Sequence, residues 1–373
     1  MHLPPPPPTP YIYTVRLEAC VSGLREALPG HDVVCTHADP SQLQSPSALV
    51  LLKIRRIMSE SDGKPFRVMM WCVPRSISTA ITKCFSFIEN TEIWFEPYCS
   101  IFMSAQGVQA AGLDFPKTKA DIKSFQRTIQ ALDEDHQLRK TYDAKQLDTT
   151  FLLHSTLQEA LNSVPADKNI FVKDIAHGAT GHYCDLPGKQ AGFRHTFLIR
   201  NPERVFPSWR SLLYKIEKKF PRPRQKVLQE DTFNFIEDAA YVAPGFSYKC
   251  QYDLWRYVRE NYDDEPVVMD VDEMLANPGK LLPKYFKAVG MPWDDRYLRW
   301  DPSPEGALQW RWMFKIDLEQ DWIAMVHKGS LMSSEFRPSK PTIPRSQMTP
   351  DVIKAVDETI GYYNEMAKNR ITV

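Results

Sequence analysis

The 373-residue sequence contains no Gly-x-x-x-x-Gly-Lys-[Ser/Thr] run, no Cys-x-x-Cys pair, no excess of either charge, and no apolar stretch of the roughly 20 residues that span a bilayer. Each absence excludes something. Without the glycine-rich run, the ordinary nucleoside triphosphate cradle is missing. Seven cysteines (Cys20, Cys35, Cys72, Cys84, Cys99, Cys184 and Cys250) make an odd number with no metal-ligand spacing, which argues against a zinc site or a complete disulfide framework and for free thiols. Lys plus Arg and Asp plus Glu number 46 each, so nothing draws the whole chain toward nucleic acid or an anionic membrane, and any positive potential must be local. The start, Met1-His-Leu followed by Pro4–Pro8, lacks the basic segment and apolar core of a secretory signal.

What is present centres on residues 66–85, where an apolar run breaks at Pro74 and resumes with helical spacing after Arg75-Ser76-Ile77-Ser78-Thr79. Strand, tight loop and helix is a geometry that holds an anion: N–H groups at the helix start point toward it, and the helix dipole and nearby hydroxyls add to the attraction. A Ser-rich N-cap on a buried helix is the plainer reading of the same residues. Residues 194–209 repeat the pattern, with a strand over Thr196–Ile199, then Arg200, an Asn201-Pro202 turn and a helix carrying Ser208. Pro207 suits a first helical turn, which predicts that this helix starts near Phe206.

For organisation, residues 1–63 read as a Pro-rich N-terminal extension. Pro4–Pro8 is too proline-rich to pack, and Tyr11–Leu17, Glu18–Leu28, Asp32–Thr36 and Ala48–Ile54 suggest an accessory strand–helix–strand–strand half-unit. From residue 64 to 373, apolar strand-like runs alternate with longer helical patterns, so the fold class is α/β with a parallel sheet flanked by helices. Strands are expected at Arg67–Cys72, Ile93–Phe95, Asn169–Val172, Thr196–Ile199 and Pro266–Met269. Helices are expected at Ser78–Ile88, Thr118–Ala131, Thr150–Asn162, Ser208–Lys219, Tyr248–Asn261, Leu281–Val289 and Pro350–Ala367. Most tryptophans read as core, and Lys215–Lys226, with two prolines, as a solvated loop.

The loop Pro74–Thr79 resembles the phosphosulfate-binding loop of the sulfotransferase family, which reads Pro, Lys or Arg, Ser, Gly, then small hydroxyl residues. Arg200, Asn201-Pro202 and Ser208 resemble that family's 3′-phosphate motif in spacing, and Val267–Pro278 with the following helix is similar to its late strand and turn. The resemblance covers residue 64 to the C-terminus. It implies a three-layer α/β/α fold of the P-loop-like sulfotransferase type, and transfer of a sulfuryl group from PAPS to a hydroxyl or amine of a small-molecule acceptor, with no metal. It further implies that Arg75, Ser76, Ile77, Ser78, Thr79, Arg200 and Ser208 bind the donor, and that Lys328 in Val326-His-Lys-Gly-Ser330 joins them. Arg75 is the expected catalytic cation. Glu96 in Trp94-Phe-Glu-Pro-Tyr98 and His177, which follows Lys173, are the two candidate bases. Because Golgi members of the family usually carry a membrane anchor, a cytoplasmic location is expected.

The sequence departs from the family at two points: Ile77 stands where the loop glycine is expected, and Ala80 where many members have an adenine-stacking Trp. Since Ile resists positive φ, an ordinary conformation is expected at position 77. Two other function classes remain in view. One is a Mg²⁺-dependent kinase or hydrolase using Asp174 as a metal ligand; the other is a silent protein that binds PAPS or its product without turnover.

Overall fold

The computed structural model describes residues 64–142, 147–220, 227–314 and 322–373. The readings for residues 1–63, and the end of the Lys215–Lys226 run, lie outside the described residues. The β-strands are β1 (Arg67–Cys72), β2 (Thr91–Phe95), β3 (Asn169–Ile175), β4 (Arg194–Ile199) and β5 (Val268–Asp270). They form one parallel sheet in the order β2-β3-β1-β4-β5. The longer helices are α1 (Ser78–Phe85), α2 (Pro97–Ala110), α3 (Lys119–Gln130), α4 (His154–Ser163), α5 (Pro202–Lys219), α6 (Tyr248–Asn261), α7 (Val271–Ala276), α8 (Pro278–Ala288), α9 (Trp322–Leu331) and α10 (Pro350–Ala367).

The period-2 geometry of β1 explains the layering. Val68, Met70 and Cys72 enter one apolar core with α1 and α8, while Met69 and Trp71 enter a second with α4 and α6. A strand buried on both faces belongs at the centre of a three-layer α/β/α sandwich, as the uninterrupted apolar run suggested. A third core joins α5, α6 and α10 around Phe206 and Phe246. Trp71, Trp94, Trp255, Trp300 and Trp310 are buried, consistent with packing roles.

Several boundaries differ from expectation for local reasons. The helix carrying Ser208 begins at Pro202, not near Phe206, because the Asn201 side chain accepts the Glu203 N–H at 2.9 Å and Pro202 takes the first helical position. Pro207 therefore sits inside α5, and Lys215–Lys219 are helical rather than loop. The expected helix over Thr150–Asn162 is broken: a 3₁₀ turn capped by Asp148 ends at Leu152, extended Leu153 follows, and α4 begins at His154. Strand β3 runs on past Val172 through Lys173 and Asp174, which are buried with partners. Helix α1 stops at Phe85, where the Ser86 hydroxyl donates to the Lys83 carbonyl.

Candidate anion-binding site

Strand order places the site. Strand order reverses at β1, with β3 and β2 laid down on one side of it and β4 and β5 on the other, and in open parallel sheets ligands sit beyond the carboxyl ends of strands at such a point. There β1 delivers Arg75, β2 delivers Glu96, β3 delivers His177 and β4 delivers Arg200.

The loop after β1 is strained. Arg75 has φ 65° and Ile77 φ 60°, so the expectation of an ordinary conformation at Ile77 is wrong: a β-branched residue holds the left-handed conformation that glycine would adopt freely. Ile77 packs partly against the core beneath the sheet, which helps retain it there. Ile77 is also the N-cap of α1 and offers no capping side chain, so the N–H groups of Ser78 and Thr79 at the first two helical positions are left for water or a ligand. Of the six non-glycine residues with positive φ among those described, Arg75, Ile77, Glu96, Phe246 and Ser247 all surround this region.

Two guanidinium groups meet at the loop. Arg200 donates from Nη1 to the Arg75 carbonyl at 2.7 Å, and Arg75 donates from Nε to the Ser208 hydroxyl at 3.1 Å and from Nη1 to the Val326 carbonyl at 3.3 Å. Burial, and then the nearby Arg200, lowers the Arg75 pKa; burial likewise lowers that of Arg200, against the opposing pull of Asp272. Asp272 lies 3.8 Å from Arg200 Nε, beyond hydrogen-bonding reach, and that nitrogen is buried without a hydrogen-bond partner. No described carboxylate is ion-paired with Arg75. Positive charge thus converges on an uncapped helix start without full compensation.

Of the residues singled out in the sequence, Arg75, Ile77, Ser78, Thr79, Arg200 and Ser208 come together. Ser76 is also in the loop, but its hydroxyl is fully buried and donates to the Val73 carbonyl at 2.8 Å, so its side chain shapes the turn. Lys328 follows His327 on α9 with an exposed side chain. It is His327, one position earlier, that is buried here: Nδ1 lies 3.0 Å from the Thr79 hydroxyl, and Nε2 lies 4.0 Å from Oε2 of Glu96.

Glu96, in the left-handed conformation at the start of α2, forms a close ion pair through Oε1 with Lys173, whose side chain is 2% exposed. Burial alone would raise the Glu96 pKa, but Lys173, His327 and His177 outweigh it and hold the carboxylate below its ordinary range. Lys173 is correspondingly raised to about 12, its carboxylate and thiol neighbours overcoming burial. His177 is buried, with Nδ1 2.8 Å from the Ser247 hydroxyl and Nε2 3.7 Å from the Cys99 thiol, and burial lowers its pKa to about 4.

Asp174 has a structural task. Its carboxylate accepts the N–H groups of Tyr98 at 2.6 Å, Cys99 at 3.0 Å and Ile175 at 2.7 Å, capping the first turn of α2. Burial pushes its pKa up to about 8 against those donors. Ser247 and His327 were not assigned roles from sequence. The clue to His327 was a histidine directly after the apolar run Ile323-Ala-Met-Val326, in a segment already singled out.

No protein-family model matches the chain, and no curated protein matches it in sequence. Among solved structures it is similar to mouse sulfotransferase SULT7A1 complexed with PAP, at 11% identity and a TM-score of 0.40 over 84% of this chain and 94% of that one. It is also similar to the sulfotransferase domain from the curacin biosynthetic pathway, at 11% identity and a TM-score of 0.35, covering 79% of this chain and 97% of that one. The sulfotransferase domain of the Synechococcus olefin synthase is a third likeness, at 14% identity and a TM-score of 0.33, covering 80% of this chain and 96% of that one.

Proposed function

We propose that this chain transfers a sulfuryl group from PAPS to a hydroxyl or amine of a small-molecule acceptor. The observation that carries the reading is the meeting of Arg75 and Arg200 at the uncapped start of α1. Adjacent, partly desolvated guanidinium groups are costly unless a multiply charged anion is bound between them, and PAPS offers a phosphate and a phosphosulfate. In this reading Arg200 and Ser208 hold the 3′-phosphate, while the N–H groups of Ser78 and Thr79 hold the phosphosulfate. Arg75 stabilises the bridging oxygen on which charge develops.

As the acceptor's oxygen or nitrogen bonds to sulfur, the bond from sulfur to the bridging oxygen breaks, and its electron pair leaves with adenosine 3′,5′-bisphosphate. Glu96 receives the acceptor's proton. It is preferred to His177, whose ring nitrogens face Ser247 and Cys99. Arg75 stays charged at neutral pH and so acts by hydrogen bonding, not by proton donation. Residues 64–373 form the catalytic unit in this proposal, with 1–63 an extension and the cytosol the working compartment. Among the described residues no helix is long and apolar enough to cross a membrane.

A kinase or hydrolase would need Asp174 for Mg²⁺, but both its oxygens already accept backbone N–H groups. Calorimetry with adenosine 3′,5′-bisphosphate and with ATP, each with and without Mg²⁺, tests the proposal. Metal-independent preference for the bisphosphate is expected, and a preference for Mg²⁺-ATP would overturn it. Bisphosphate binding with no sulfuryl transfer across a panel of phenols, alcohols and amines would leave a silent binding protein.

A further inference from the structure

His327 joins the two halves of the site. From α9 it reaches Thr79 on one side and Glu96 on the other, buried against the rings of Phe95 and Trp312. The carboxylate selects the tautomer. A lone pair on Nε2 would face the negative Glu96, so the ring proton sits on Nε2 and Nδ1 accepts the Thr79 O–H. The Thr79 hydroxyl is therefore committed to His327, although Thr79 lies in the first turn of α1, where an anion would also take that proton. If the hydroxyl turns toward an anion, its oxygen can only accept from Nδ1–H, and His327 then carries a proton on both nitrogens.

We infer that His327 is a positioning residue of the anion site, taking one proton from solvent when an anion binds and thereby freeing the Thr79 hydroxyl to donate to that anion. The inference rests on the reading of this loop as the donor site. The charged groups acting on the ring are Glu96, which favours the imidazolium, and Lys173 and Arg75, which oppose it together with burial; in the free protein the balance leaves the ring neutral, its pKa lowered to about 4. A bound anion adds negative charge beside Thr79 and shifts the balance toward the cation. A lysine or arginine at this position would be charged whether or not the site were filled, whereas a histidine makes the charge conditional on the ligand.

Inorganic sulfate is a suitable probe because it remains a dianion near neutral pH, so any proton gained on binding belongs to the protein. The full chain, labelled with ¹⁵N-histidine, is titrated with sulfate at about pH 6, and the His327 ring nitrogens are assigned among the nine histidines by their loss in His327→Gln. Filling the site is expected to convert His327 from one protonated nitrogen to two. In Thr79→Val, which keeps the shape but lacks the hydroxyl, sulfate is expected to bind several-fold more weakly and His327 to stay neutral. Adenosine 3′,5′-bisphosphate is titrated in parallel into the native protein and Arg200→Ala. Arg200-dependent binding with His327 neutral throughout would overturn this inference alone and leave the donor site standing. Binding indifferent to Arg200, or no binding of either anion, would overturn both.

Discussion

Arg200, at the end of β4, donates to the carbonyl of Arg75, in the loop after β1, at 2.7 Å, so one guanidinium fixes the backbone that carries the other. Removing Arg200 therefore takes away an anion ligand and loosens the left-handed turn at Arg75. Arg200→Ala is expected to weaken adenosine 3′,5′-bisphosphate binding by roughly 100-fold or more, about 3 kcal/mol, the scale of charge-assisted hydrogen bonds to phosphate. Arg200→Lys keeps the charge but loses the planar fork and should recover only part of that affinity. Calorimetric titration measures both, and native-like affinity in the alanine variant would remove Arg200 from the site.

Glu96→Gln separates binding from turnover. The amide keeps the shape but cannot take a proton, so the rate of sulfuryl transfer is expected to fall about 10²–10⁴-fold with bisphosphate affinity within a few-fold of native. The substitution also leaves Lys173 without its buried partner, and the native state should lose up to about 3 kcal/mol in urea denaturation. An active enzyme with unchanged kcat would shift the role of base to His177.

Much of the fold was legible because its signals are local. The apolar run of β1 and the Pro350–Ala367 helix were located residue for residue, since one is buried on both faces and the other has Pro350 at its first position. Helix α2 was missed because Pro97, Tyr98, Cys99 and Ile101 bury a crowded first turn and Gly107 interrupts any regular stripe. At the site, Arg75, Arg200 and Ser208 were readable because each follows a strand or lies on the next helix. The turn at Ile77 was not, because tertiary packing overrides the resistance of a β-branched residue to positive φ. Nor could spacing show that His327 rather than Lys328 turns inward, since helix phase depends on how α9 packs against α1 and α5.

Gly178 tests how tightly α2 is held against the end of β3. A Cβ there would lie 2.5 Å from the Tyr98 carbonyl carbon and 2.7 Å from the Cys99 Cα, both in the first turn of α2. Backbone cannot yield as a flexible side chain can, so Gly178→Ala is expected to destabilise the protein by about 3 kcal/mol. It should also displace Glu96 at the start of that helix and lower turnover at saturating donor. Urea denaturation with native-like stability would show that the helix start can shift freely.

His195 offers a pH test remote from the site. The Trp71 indole can only donate, so at 3.0 Å it requires an unprotonated Nδ1, while Nε2–H donates to the Pro187 carbonyl at 3.2 Å. The neutral ring is fully satisfied, and a second proton would set Nδ1–H against the indole N–H. Burial accordingly lowers the pKa from 6.5 to about 4. In that interval the unfolded chain binds a proton that the native state refuses, so the stability contributed by this histidine is complete above about pH 6.5 and is lost as pH falls toward 4. One such group is worth at most about 3 kcal/mol, and half-buried His154 and buried His177 and His327 shift in the same direction. Urea unfolding at several pH values between 7.5 and about 5 should show the histidines' contribution being lost, offset in part by Asp174, whose raised carboxyl takes its proton in the native state first and so stabilises it over the same interval. In His195→Gln, whose amide can accept from Trp71 and donate to Pro187 without titrating, that loss should be smaller even if stability at neutral pH is lower. Equal slopes in the two proteins would mean that this histidine is not held neutral by its partners.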